Sequence, residues 1–81
     1  MISCAQYDYI EIVCMFNYPV KLTLNTGEII EGVALDTLRN QQREELIKIK
    51  TDNRETLVVL DVIVTLQVCI ENPHFQEIIF D

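Results

Sequence analysis

Val20-Lys21-Leu22-Thr23-Leu24-Asn25-Thr26-Gly27-Glu28 spells out a strand and the tight turn that ends it. Val20, Leu22 and Leu24 alternate with Lys21, Thr23 and Asn25, the period-two pattern of a strand with one face buried. Asn25-Thr26-Gly27 then breaks the alternation. Gly27 can take the positive φ of a hairpin loop at no steric cost, so the chain should turn back on itself. The returning strand runs over Glu28 to Leu38. Gly32 in its middle marks a bend or a close approach of backbones, as where a small sheet curls toward a barrel.

Outward from this hairpin the pattern repeats. Arg39-Asn40-Gln41-Gln42-Arg43 is a polar link, and Glu45 to Thr51 reads as a third strand with Ile47 and Ile49 inward and Lys48 and Lys50 outward. Asp52-Asn53 makes the next turn. Leu57 to Leu60 forms a fourth strand. Past Asp61 a fifth carries Val62, Val64, Leu66 and Val68 on one face. The apolar run from Leu57 to Val64 implies strands covered on both sides or closed on themselves. In the tail, Asn72-Pro73 marks a turn, and Phe75 to Phe80 can form a sixth short strand or a docked end.

Upstream the period changes to that of a helix, spanning about residues 4–17. Ser3 and Gln6 have the spacing of a capping box. Gln6, Tyr7, Ile10, Val13 and Cys14 share one face, and Asp8, Glu11, Ile12 and Met15 fall on the other. Pro19 ends the helix near Phe16 to Tyr18. The expected fold is a single α+β domain over residues 1–81: one helix, then five antiparallel strands in a small half-open barrel, then a tail over 69–81.

Thirteen acidic residues against six basic ones give a net charge of −7. Affinity for a phosphate backbone comes mainly from Lys and Arg releasing counterions, so this balance disfavours direct nucleic-acid binding and suits a basic protein partner. The aromatics cluster in the helix and the tail, where core packing is the expected role of most of them. Enzyme chemistry finds no support: the one serine serves as a cap, and the one histidine, His74, belongs to no motif. Cys4, Cys14 and Cys69 lack the close pairing of a zinc site and are expected to be buried free thiols, with Cys14 protonated on the core face. No cofactor is expected. Met1 to Gln6 shows no basic region followed by an apolar stretch, and no apolar run suffices to span a bilayer, so a cytoplasmic protein away from membranes is expected.

Ile2, Cys4, Tyr7-Asp8, Ile10-Glu11 and Cys14 in the helix together resemble the N-terminal signature of the Rho-binding antiterminator (Rof-like) family. The resemblance continues through Val20, Leu22, Leu24 and Gly27-Glu28, then Gly32, Ala34 and Asp36, then Glu45, Ile47 and Ile49, and ends at Leu60-Asp61 and Ile63. It spans roughly residues 2–66. It implies an Sm-like fold, an N-terminal helix on a strongly bent five-stranded antiparallel sheet. It also implies an inhibitor of Rho-dependent transcription termination, which contacts the N-terminal RNA-binding region of Rho and keeps RNA from loading.

With that resemblance, the contact is expected on the outer helix face. Asp8 and Glu11 would supply charge complementary to basic groups on Rho, with Ile12 and Met15 as apolar anchors. Glu28, Asp36, Glu44 and Glu45 at strand ends rank second. Tyr7 and Cys14 hold the helix on the sheet. The chain is expected to act as a monomer. The alternative is an Sm-like RNA-binding module, which a gel-shift with single-stranded RNA would reveal.

Overall fold

A computed structural model describes residues 4–73 and 76–80. Ser3 of the expected capping box, His74 and Phe75 lie outside the described residues. Helix α1 spans Cys4–Met15. It is followed by β1 (Pro19–Leu24), β2 (Ile29–Arg39), β3 (Glu45–Thr51) and β4 (Arg54–Val59), a single 3-10 turn at Leu60–Val62, β5 (Ile63–Val68) and β6 (Glu77–Ile79). All ladders are antiparallel, in the order β4-β3-β2-β1-β5-β6. This is the expected α+β architecture, with six strands where five were expected.

The hairpin read from Val20 to Glu28 is present, and Gly27 takes φ +89° at its turn. Gly32 sits where the backbone of β2 closely approaches β3. A Cβ there would meet the Lys50 carbonyl oxygen at 2.4 Å and Ile49 Cγ2 at 2.6 Å. Only a residue without a side chain lets β2 come this close to β3.

The core fills the concave side of the sheet. Ile10 and Val13 of α1 pack with Val20, Leu22, Ala34, Ile47, Ile49, Leu66 and Val68. Tyr7 packs against this cluster, and its hydroxyl donates to Thr37 Oγ1 at 3.4 Å.

The helix ends one residue before Phe16, and Asn17 is the reason. Its φ of +50° is the left-handed conformation of a residue just past a helix end. Tyr18 N–H bonds the Val13 carbonyl at 2.9 Å and Asn17 N–H the Cys14 carbonyl at 3.2 Å, the paired bonds of a Schellman motif. The Asn17 amide also donates to the carbonyls of Cys14 and Ala34, at 3.2 and 2.9 Å. The helix end is thus tied to β2.

Several expectations need correction. Ile63 is buried on β5 and Val64 is exposed, the reverse of the simple alternation. The β1–β5 register passes from Thr23↔Thr65 to Leu24↔Ile63, so Val64 is the extra residue of a bulge, and both Ile63 and Leu66 reach the core. The apolar run Leu57–Val64 is not a strand covered on both sides. It turns a corner through the 3-10 segment, which buries Leu60 and leaves Leu57 and Val64 exposed. Cys14 is buried as expected, but Cys69 is exposed, one residue beyond the end of β5. The tail forms β6 on the free edge of β5 and buries Phe80.

Candidate functional site

The C-terminal half of α1 passes over a second bulge, between Ala34 and Asp36 in β2. Bulges bend a strand and re-aim its side chains. Here the bend opens a cleft of about 220 Å³ lined by Glu11, Cys14 and Met15 of the helix and by Leu35, Asp36 and Thr37 of β2. Sites for drug-sized ligands generally run from roughly 300 Å³ upward. This cleft lies below that size.

Its electrostatics register at Cys14. Burial pushes that thiol up to about 12, and the negative charges of Asp36 and Glu11 push it the same way. Both carboxylates therefore act on one point, from two different elements. Asp36 Oδ1 also accepts the Thr37 N–H at 2.8 Å, which holds the aspartate at the bulge.

The structure distributes the expected contact residues unevenly. Asp8, Glu11 and Met15 are exposed along α1, Met15 at 71%. Ile12 is half-buried and packs against the core, because the curled sheet covers a wider arc of the helix than one face of the wheel. Asp36 joins Glu11 and Met15 at the cleft. Glu28 lies at the other end of β2, in the turn, where its carbonyl accepts the Leu24 N–H.

Glu44 and Glu45 do local work. The Glu44 N–H donates to Asn40 Oδ1, the Asn40 amide donates to Glu44 Oε1, and Arg39 pairs with Glu45 at 3.0 Å. These bonds hold the β2–β3 loop, where Arg43 takes φ +66°.

Two features escaped the sequence reading. Phe16, not singled out as a surface residue, is 51% exposed beside Met15 and stacks on Tyr18 with ring centroids 5.5 Å apart. Leu35 and Thr37 reach the cleft only because of the bulge, which no residue in the sequence announces.

The fold is a small α+β domain, a helix on a six-stranded antiparallel sheet, with an acidic, apolar-edged cleft between helix and sheet. The chain matches, over residues 1–80, the family described as modulator of Rho-dependent transcription termination (ROF), and it belongs to that family. The match takes in the tail, which the resemblance read from the sequence did not reach. Among solved structures it is similar to YaeO bound to magnesium from Vibrio cholerae O395, at 43% identity and TM-score 0.87, covering 94% of this chain and 99% of that one. No curated protein matches the chain. Among the described residues no helix is long and apolar enough to cross a membrane.

Proposed function

We propose that this modulator inhibits Rho-dependent termination by occupying the N-terminal RNA-binding region of Rho, so that RNA cannot load. The observation that carries the reading is the convergence of Glu11, Asp36 and Met15 on one open cleft, with Asp8 a turn earlier on the same helix. A region that grips phosphates is basic, and an acidic surface competes for it. Asp8, Glu11 and Asp36 supply the charge. Met15 supplies apolar contact, Phe16 extends it, and Ile12 adds the part of its side chain left uncovered. The protein acts in the cytoplasm, where Rho works. Among the described residues no group of three or more His, Cys, Asp or Glu side chains is placed to hold a metal ion.

The test is a binding titration against purified Rho. Affinity should fall as salt rises, because charge steers the contact. The Asp8→Lys/Glu11→Lys double variant should bind at least about tenfold more weakly while keeping the circular dichroism spectrum of the unmodified chain, in line with about 1.4 kcal/mol for a tenfold loss. Unchanged affinity in the double variant would place the interface elsewhere. Tight binding of single-stranded RNA by the isolated chain at physiological salt would favour the RNA-binding alternative.

A further inference from the structure

The aromatic pair at the end of α1 differs from an ordinary exposed side chain. Phe16 is 51% exposed, and its ring stacks on Tyr18 with the planes 19° from parallel. A near-parallel stack at their 5.5 Å spacing is a favoured arrangement of two aromatic rings. Tyr18 beneath it is buried, so the stack has a fixed floor and ends at the protein surface.

The backbone around the pair is held from both sides. Phe16 N–H bonds the Ile12 carbonyl at 3.1 Å, and the Tyr18 carbonyl accepts the Ala34 N–H at 3.0 Å. Asn17, between the two in the chain, donates its amide to the Ala34 carbonyl. A phenylalanine has only two side-chain torsions, so a ring held this way loses little further freedom when it is bound. Met15 beside it is a flexible chain and brings no such order.

What adjoins the stack says what can receive it. Met15 lines the cleft together with Glu11 and Asp36, so the aromatic pair stands next to two carboxylates. From Met1 to Pro19 the chain has neither Lys nor Arg to offset them. A single-strand nucleic-acid site sets aromatic side chains for the bases beside basic groups for the backbone. A planar ring beside negative charge is the inverse of such a site. A plain apolar contact asks for neither the ring's plane nor the neighbouring charge.

We infer that Phe16, backed by Tyr18, takes the place of a nucleobase and stacks on an aromatic side chain of the partner's RNA site. Glu11 and Asp36 then stand where RNA phosphates would meet basic groups. This deepens the contact proposed above and rests on it: the RNA-binding region of Rho is the occupant. Charge sets how fast the complex forms, and the ring sets how long it lasts.

Stopped-flow binding of the full chain to purified Rho separates the ring from plain apolar contact. Phe16→Leu keeps an apolar side chain at an exposed position and should leave the melting temperature unchanged. It should raise the dissociation rate at least about tenfold, the scale of losing one base–aromatic stack, with little change in the association rate or its salt dependence. Phe16→Trp should bind as tightly as the unmodified chain. The chain has no other tryptophan, so the emission of this variant should change as Rho is added, relative to the same titration of the unmodified chain. Single-stranded RNA of mixed sequence should reverse that change. Binding of Phe16→Leu within about twofold of the unmodified chain overturns the inference, as does Phe16→Trp emission that ignores bound Rho. If either occurs while Asp8→Lys/Glu11→Lys still weakens binding, the contact proposed above stands and only the base-like role of Phe16 falls. No binding of Rho by the unmodified chain overturns both.

Discussion

Cys14 is pushed up to about 12 from an ordinary value of 9.0, first by burial and then by Asp36 and Glu11. The sign follows directly. Between those values the unfolded thiol has lost its proton and the folded one keeps it, so the unfolded state binds fewer protons and stability falls as pH rises. Below about 9 this group contributes no pH dependence. Urea midpoints measured from about pH 8 to about pH 11 should therefore drop more steeply for the unmodified chain than for Cys14→Ala. Equal slopes would mean that the thiol is not shielded. At this scale the glycines were the readable residues, because a positive φ at Gly27 and a crowded backbone at Gly32 each demand the missing side chain. Val64 was not readable. Nothing distinguishes a valine that keeps the alternation from one that a bulge turns outward.

Helix α1 shows why element ends need local chemistry as well as pattern. Pro19 predicts a stop near Phe16 to Tyr18, but the residue that makes the stop is Asn17, whose backbone adopts the left-handed conformation while its amide bridges two carbonyls. Asn17→Ala loses both and should cost about 1–2 kcal/mol of stability. Asn17→Gly keeps the backbone freedom and should cost less than Asn17→Ala in the same denaturation assay. An equal cost would show that the side-chain bonds, not the left-handed conformation, hold the helix end. Strand existence was legible for β1 to β3, and the order of faces for β1 and β3, where the period is clean. They failed at the corner between β4 and β5, where an apolar 3-10 turn looks like more strand. The contact set was legible in part for a similar reason. The outer helix face gave Asp8, Glu11 and Met15, but their meeting with Asp36 depends on a bulge.

At the scale of the whole molecule, the tail completes the sheet. Gln6 of α1 donates to the Ile79 carbonyl at 3.4 Å, Phe80 N–H bonds the Val64 carbonyl at 2.8 Å, and the Phe80 ring is buried. Removing residues 76–81 uncovers the β5 edge and the pocket that Phe80 fills. Losing a buried phenylalanine alone typically costs about 3–5 kcal/mol, so the truncated chain should melt well below the full one. A melting temperature within about 2 °C of the full chain would show that β6 is dispensable, since 1 kcal/mol shifts a domain of this size by roughly 4–8 °C.

The placement of β5 beside β1 has a consequence in time. Strands β1 to β4 pair with their neighbours in order along the chain, but β1 meets its second neighbour only when Ile63–Val68 arrives. Chains emerge from the ribosome N-terminus first, at about 5–20 residues per second. For the seconds between the two strands, Leu22 and Val20 have a partner on one side and none on the other. The nascent chain then holds an open edge at a strand that will become the centre of the sheet. Synonymous changes that slow translation after β4 should therefore increase aggregation of newly made chains without altering the finished protein.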